Sequence, residues 1–253
     1  MNKNPLISVI MNCYNSSEYL KEAINSILNQ SYENFEIIFW DNQSTDKSAD
    51  IIKSFTDKRI KYYYAPSHTS LYKGRNEAVQ RCTGSAISFL DCDDIWTNNK
   101  LELQVQLYNQ GCKFIYGAYE NINSTGERID GSSGELYEGK ITNNLLKRNP
   151  LSIGCVLIDR ELLIKNKFDD YYDLLGDYDL WVRLSIQTEV KVLSNILEYS
   201  RQHNSNTSNR LNDKWVSERR YFYRKNFKDL KKYSMYWYYL LKTEIRSIIG
   251  HKR

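Results

Sequence analysis

Ile87-Ser88-Phe89-Leu90-Asp91-Cys92-Asp93-Asp94 (residues 87–94) reads as a short buried strand that ends in three carboxylates within four residues. Carboxylates that close repel one another, and a fold gains nothing by clustering them. A cation among them reverses that balance. A strand that delivers acids at its carboxyl end also puts them where open α/β sheets bind ligands. The stretch therefore points to a divalent-metal site that holds something anionic, on a doubly wound α/β scaffold.

Outward from this strand, strand and helix signals alternate. Residues 6–11 are a compact apolar run. Asn15-Ser16-Ser17-Glu18 then offers a helix N-cap, followed by Leu20, Ala23, Ile24, Ile27 and Leu28 at helical spacing. Residues 35–40 give a second strand, and Ser44-Thr45-Asp46 opens a second helix with Ala49, Ile51, Ile52 and Phe55 as its apolar positions. A third strand spans residues 60–64, a helix residues 71–82, and the fourth strand residues 86–90. Strict alternation implies parallel strands with right-handed crossovers, so the first hundred residues read as a nucleotide-binding half. Beyond residue 100 the alternation weakens. Residues 101–109 and 177–186 read as helices, and 113–119, 153–158 and 196–200 as strands. The Gly-, Ser- and Asn-rich residues 121–139 read as a small hairpin, and the chain is helical from Leu211 onward.

Three groups of residues carry the chemistry. Asp91 and Asp93 are two apart, so an extended backbone aims both the same way, and Asp94 caps the next segment or faces the opposite side. Magnesium-type sites use one or two carboxylates plus substrate phosphates; the alternative is an Asp-rich helix cap. Asp41 follows the second strand, where an acid can accept hydrogen bonds from a ribose or base; the alternative is an Asx-turn at the strand exit. Asp46 is read as a helix cap. Lys73-Gly74-Arg75-Asn76 places cations ahead of the acidic strand, and an Arg fork suits a diphosphate. Read alone, this segment is more simply a solvated helix face.

Bulk properties narrow the class. The 253 residues are 26% charged and 41% hydrophobic, ordinary for a globular protein that buries a full α/β core. The net charge of +4 is unevenly spread: residues 210–253 carry thirteen Lys and Arg against four Asp and Glu, so the rest of the chain is acidic. The five cysteines (Cys13, Cys82, Cys92, Cys112, Cys155) have no CxxC spacing, which argues against a disulfide framework or a zinc site. No stretch reaches the roughly 18 apolar residues of a membrane span, and the first apolar run is too short for a signal peptide. The expected location is the cytoplasm, including the inner face of the cell membrane.

The motifs in order are Cys13-Tyr14-Asn15, Asp41-Asn42-Gln43-Ser44-Thr45-Asp46, Gly74-Arg75-Asn76 and Phe89-Leu90-Asp91-Cys92-Asp93-Asp94. This order resembles glycosyltransferase family 2, the inverting nucleotide-sugar transferases of GT-A fold, over residues 7–208. Where the family usually shows Asp-Asp or Asp-Asn with Gly-Ser, this chain has Asn42-Gln43-Ser44. The resemblance implies that Asp41 contacts the uracil or ribose of a UDP-sugar and that Arg75 lies near the nucleotide. Asp91 and Asp93 become the D-x-D pair, with Asp93 the foremost ligand of Mn²⁺ or Mg²⁺. Inverting displacement needs a carboxylate opposite the leaving group to take the acceptor's proton. In Gly176-Asp177-Tyr178-Asp179-Leu180-Trp181-Val182-Arg183-Leu184, Asp177 matches the family's base, while Gly176 stands where a Glu is common. Asp177 also reads as a helix cap, and Asp179 and Arg183 as an i,i+4 pair. Residues 199–208 resemble the family's Tyr-Arg-x-His…Ser stretch, which implies His203 as a metal or phosphate ligand and Arg201 as a counter-charge to phosphate.

The expectation is therefore an α/β protein of GT-A type: a doubly wound, mostly parallel sheet with helices on both faces, plus a helical C-terminal extension. Residues 1–209 form the catalytic domain, with a nucleotide-sugar half (1–100) and an acceptor half (101–209). Residues 210–253 form a basic, aromatic extension. There Tyr233, Tyr236, Trp237, Leu240 and Leu241 share a helix stripe flanked by Lys225, Lys228, Lys231 and Lys232. It suits either an anionic membrane surface, through residues 221–253, or packing on the catalytic body. The expected reaction moves a sugar from a UDP-sugar to a hydroxyl of a saccharide acceptor, lipid-linked, in cell-surface polysaccharide or lipopolysaccharide synthesis. A nucleotidyltransferase is the second enzyme reading, but Cys13-Tyr14-Asn15-Ser16-Ser17 is no Gly-rich basic phosphate loop. A non-catalytic nucleotide-sugar-binding protein is the third, to which Gly176 lends weight and Asp91, Asp93 and Asp177 do not. No nucleic-acid module is present, so no nucleic-acid partner is expected.

Overall fold

The structure is a computed structural model. It describes residues 4–204, 206, 211 and 214–250, with backbone alone for 246–250. Part of the 199–208 stretch and the expected boundary at 209/210 lie outside the described residues.

The first half forms as the alternation predicts. Strands β1 (Ile7–Cys13), β2 (Phe35–Asp41), β3 (Ile60–Tyr64) and β4 (Ala86–Phe89) lie in the order β3-β2-β1-β4, all parallel. Helices α1 (Leu20–Leu28), α2 (Ser48–Lys53) and α3 (Leu71–Val79) connect them. Both faces of β1, β2 and β4 are covered, which is why they read as continuous apolar runs, whereas β3 is only partly buried. On one face Ile7, Val9, Met11, Phe35, Ile37 and Phe39 share a core with Leu20, Ala23, Ile24 and Ile27 of α1. On the other, Ile10, Ile38, Trp40, Ile87 and Phe89 share a core with Tyr72, Ala78 and Val79 of α3. Each such large apolar side chain contributes about 1.5–3 kcal/mol on full burial.

The second half adds β5 (Ile95–Trp96), β6 (Phe114–Ile122), β7 (Arg128–Ser132), β8 (Leu157–Asp159) and β9 (Lys191–Arg201). They extend the same sheet in the order β4-β8-β6-β9-β5. β8 is antiparallel to β4 and β6, β6 and β9 are parallel, and β5 is antiparallel to β9. β7 folds back on β6, giving the hairpin expected in residues 121–139. Helices α4 (Lys100–Asn109), α5 (Thr142–Lys147), α6 (Arg160–Asn166) and α7 (Gly176–Gln187) complete the body. The result is a mixed, mostly parallel sheet with helices on both sides. One local expectation is corrected: residues 153–155 form a 3₁₀ turn rather than the start of a strand. A Cβ on Gly154 would collide with Glu198 Oε1, so the backbone presses on a buried side chain there.

Among the described residues three C-terminal helices follow: α8 (Lys214–Lys225), α9 (Phe227–Leu230) and α10 (Ser234–Gly250). Phe222, Tyr223, Leu230 and Tyr236 are buried in the same core as Leu180, Trp181 and Leu184 of α7. The expected stripe on α10 divides between two faces. Tyr233, Tyr236 and Leu240 pack on the body, whereas Trp237 is 51% and Leu241 63% exposed. One residue is about 100° of helix rotation, enough to turn 237 and 241 away from the face that holds 236 and 240. Tyr238 and Ile245 extend the exposed apolar face. Of the flanking lysines, Lys225 is committed to Asp169 (2.6 Å) and Asp179 (3.1 Å). Among the described residues no helix is long and apolar enough to cross a membrane.

Candidate active site

The carboxyl ends of β1, β2 and β4 meet at one edge of the sheet. The loops after β1 and β2 are knitted together. Asn15 Oδ1 accepts from the Thr45 N–H (2.7 Å), the Asn15 N–H donates to Ser44 Oγ (3.1 Å), and the Ser17 N–H donates to Asp46 Oδ2 (3.0 Å). Asn15 and Gln43 hold positive φ (50° and 67°), a conformation that costs non-glycine residues and recurs at ligand sites. Asp46 also accepts the Ser48 N–H at the start of α2 (2.9 Å), from one residue ahead of the N-cap, Lys47, which has no side-chain cap of its own.

Asp41 is fully buried at the end of β2. Its Oδ1 accepts the Ser44 N–H (2.7 Å) and its Oδ2 the Tyr62 hydroxyl (2.7 Å). The Ser44 contact spans three residues, one more than an Asx-turn, and both oxygens shape the loop. At the lip of that loop lie the half-exposed Tyr14 ring and His68, 4.3 Å apart, with His68 Nδ1 2.9 Å from the Asn42 carbonyl oxygen.

The acidic segment turns rather than running extended: the Asp94 N–H donates to the Asp91 carbonyl (3.3 Å). The two D-x-D carboxylates therefore leave by different contacts, which corrects the argument from strand periodicity. Asp91 Oδ1 accepts from Arg75 Nη2 (2.7 Å). Asp93 Oδ2 lies 2.9 Å from His203 Nε2. The pairing of β5 with the end of β9 explains the second contact, because it brings residues just beyond Arg201 beside the turn that precedes Ile95. Burial pushes the Asp93 carboxyl up, Asp91 adds to the rise, and His203 opposes it.

Asp94 takes the structural share. Its Oδ1 accepts the Arg201 N–H (2.7 Å), and both it and Glu198 are buried. Burial raises both carboxyls above their ordinary range; repulsion from Glu198 adds to the rise at Asp94, and repulsion from Asp91 to the rise at Glu198. Arg201 is only 1% exposed. Its guanidinium donates to Glu22 (2.6 Å), to the Asp93 carbonyl (2.9 Å) and to the carbonyls of Asn123 and Ser124 (3.2 Å each). These contacts commit it to holding the acidic turn.

Arg75 is buried on α3, with its guanidinium 5.4 Å from the Tyr72 ring and 5.9 Å from Phe168. Tyr72, one turn earlier, donates its hydroxyl to the Leu174 carbonyl (3.0 Å) and to Asp177 Oδ1 (3.3 Å). Asp177 Oδ1 also accepts the Tyr178 N–H (2.7 Å) at the start of α7. Burial pushes the Asp177 carboxyl up, and the nearby Arg75 charge opposes the shift. Helix α3 thus holds Asp91 with one residue and Asp177 with another. The expected i,i+4 pair forms, with Arg183 Nε 2.7 Å from Asp179 Oδ2.

Tyr72 also accounts for Gly176. A Cβ at that position would lie 2.6 Å from Tyr72 Cδ2 and 2.7 Å from Cε2 and Cγ. The ring occupies the space a side chain would need. Sequence reasoning missed Tyr72, Glu22 and Glu198. For Tyr72 a signal existed, three residues before Arg75 on the same helix.

Two carboxylates and an imidazole are a donor set suited to a hard or borderline divalent cation. Among the described residues no group of three or more His, Cys, Asp or Glu is gathered closely enough to hold one unaided. Asp93 and His203 at 2.9 Å fit a site completed by substrate phosphates.

Known proteins share this architecture. The glycosyl transferase family 2 profile matches residues 8–165. The chain is 35% identical over 192 residues to WfgD of Escherichia coli, a UDP-Glc:alpha-D-GlcNAc-diphosphoundecaprenol beta-1,3-glucosyltransferase, covering 75% of this chain and 73% of WfgD. Among solved structures it resembles S. aureus TarS 1-349 in complex with UDP-GlcNAc, with a TM-score of 0.72 at 18% identity. That match covers 86% of this chain and 65% of TarS 1-349, so the chain spans just under two thirds of it. The mannosyltransferase PcManGT from Pyrobaculum calidifontis, in complex with GDP-Man and Mn2+, matches with a TM-score of 0.65 at 16% identity, over 96% of this chain and 69% of that one. The two structures establish the fold, which is of GT-A type.

Proposed function

The chain belongs to glycosyltransferase family 2, and on that premise we propose that it transfers a sugar from a UDP-sugar to a hydroxyl of a lipid-linked saccharide, with inversion. The observation that carries the reading is the double grip of α3: Arg75 on Asp91 (2.7 Å) and Tyr72 on Asp177 (3.3 Å). It puts an acid with a raised pKa beside the D-x-D turn yet separate from it. The UDP donor and lipid-linked acceptor are supported by WfgD, whose name specifies both, and by the UDP-GlcNAc complex of TarS. Family membership removes the nucleotidyltransferase reading. The non-catalytic reading loses its support once Gly176 is explained by Tyr72.

In this mechanism the acceptor oxygen attacks the anomeric carbon while the bond from that carbon to the phosphate oxygen breaks. The electron pair leaves with UDP, and the acceptor's proton passes to Asp177. Tyr72 and the Tyr178 N–H hold Asp177 Oδ1, which leaves Oδ2 to receive that proton. A raised pKa suits a base that must be unprotonated near neutrality yet accept a proton in the transition state. Asp91, Asp93 and His203 would hold Mn²⁺ or Mg²⁺, and such an ion supplies Lewis-acid stabilisation of the departing diphosphate. Arg75 orients Asp91. Arg201 anchors Asp93 through its carbonyl and serves the phosphates indirectly. Asp41 fixes the turn whose lip presents Tyr14 and His68 to the nucleoside.

The exposed face of α10 belongs to the same reading. Trp237, Tyr238, Leu241 and Ile245, with Lys228, Lys231, Lys232 and Lys242 around them, suit a helix lying on an anionic leaflet. An acceptor tethered to lipid gives that surface a purpose. The test of the function is a UDP-release screen across UDP-sugars with Mn²⁺ and a panel of lipid-linked and free saccharide acceptors. Acceptor-dependent release with at least one donor is expected; release with none would overturn the proposal.

A further inference from the structure

Glu218 lies on α8 and is only 4% exposed. Its carboxylate accepts three successive backbone N–H groups: Oε1 from Asp173 (2.8 Å), and Oε2 from Leu174 (3.1 Å) and Leu175 (2.9 Å). Successive amides turned toward one point form a nest for an anion, and here the chain fills the nest with its own side chain. These three residues immediately precede α7, whose cap residue Leu175 has no side-chain acceptor to offer. Two residues further on stands Asp177. From the opposite side Tyr72 holds the Leu174 carbonyl and Asp177 itself. The same α8 helix and the residue after it also close on Asp179, through Lys225 (3.1 Å) and Asn226 Nδ2 (2.9 Å).

We propose that Glu218 is a positioning residue for glycosyl transfer, fixing the backbone of 173–175 and, through it, the direction of Asp177. The helix it comes from is then part of the base's support as well as a cover for the core. The assignment rests on the reading of Asp177 as the base. A misplacement of about 1 Å in a reacting group costs on the order of a hundredfold in rate. Glu218→Gln keeps the shape but replaces one acceptor oxygen with an NH₂ donor, which faces at least one of the three amides wrongly.

The experiment measures kcat, KM and the dissociation constant for UDP in Glu218→Gln, Asp177→Asn and the double variant, with amide hydrogen exchange at residues 173–175. Glu218→Gln should lower kcat by roughly tenfold to a hundredfold, the loss that up to ~1 Å of misplacement brings. It should leave UDP affinity within about twofold, and speed exchange at the three amides. In the Asp177→Asn background it should add little, because the residue it positions is already gone. Near-normal kcat in Glu218→Gln would overturn the assignment while leaving the base intact. An equal loss in both backgrounds, or loss of UDP affinity in step with kcat, would mark a general folding role and overturn it too. Near-normal turnover in Asp177→Asn would instead sink the reading of the base, and this assignment with it.

Discussion

Gly176→Ala probes the geometry around Asp177 with a single methyl group. Its Cβ would sit 2.6–2.7 Å from three atoms of the Tyr72 ring, against the roughly 3.5–4.0 Å at which carbons rest, so about 1 Å must open. The ring cannot yield cheaply. It is 2% exposed, stacks on Phe168 at 5.6 Å, and is anchored by its hydroxyl at Leu174 and Asp177. Overpacking of this kind costs about 1–3 kcal/mol. The gain from replacing a helical glycine returns at most about 1 kcal/mol. Taking that gain in full leaves a net loss of up to about 2 kcal/mol, which lowers Tm by up to roughly 8 °C in a chain of this size. Thermal unfolding of Gly176→Ala, Tyr72→Ala and the double variant completes the cycle. Tyr72→Ala alone should cost about 3–5 kcal/mol as a cavity, and in that background Gly176→Ala should be neutral or stabilising. An equal drop in Tm in both backgrounds, or a rise in the otherwise native chain, would show that the ring does not exclude the side chain.

Asp93→Ala should abolish the Mn²⁺-dependent part of UDP affinity; calorimetry showing the same affinity with and without the ion, before and after substitution, would rule out the metal assignment. Trp237→Ser with Leu241→Ser should leave stability nearly unchanged, since both side chains are exposed, yet weaken flotation with anionic liposomes by about tenfold or more. Unchanged flotation would remove α10 from the membrane reading. Because burial raises the Asp177 pKa and a base must be unprotonated, kcat should fall with decreasing pH along a limb above the ordinary Asp value of 3.8. Tyr72→Phe removes a hydrogen bond that favours the carboxylate and should move that limb further up; a downward shift in the pH–rate profile would contradict the contact.

The first half of the fold was legible because β1, β2 and β4 are buried on both faces, so each shows as an unbroken apolar run between turn signals. β5 has two residues, β8 three, and β7 is exposed throughout; elements that short or that exposed leave no periodicity to read. Residue types at the site were legible, but their commitments were not. Asp41 has the position of a nucleoside ligand, and the Ser44 amide and the Tyr62 hydroxyl each use one of its oxygens to shape the turn. Arg201 looks like a phosphate cation, yet it bonds Glu22, a partner 179 residues away. Gly176 stood out as a departure from the family, and its cause is a ring in a different helix. Glu218 carried no motif, because its partners are backbone amides, which any sequence supplies.

Everything proposed for the chemistry turns on Asp177 taking the acceptor's proton while a separate acidic turn holds the departing diphosphate. Single-turnover transfer by Asp177→Asn, with UDP-sugar binding measured on the same preparation, separates the two roles. Binding should stay within about twofold while transfer falls by at least the roughly 10²–10⁴-fold that a positioned base supplies. Transfer at a near-native rate with intact binding would show that Asp177 is not the base.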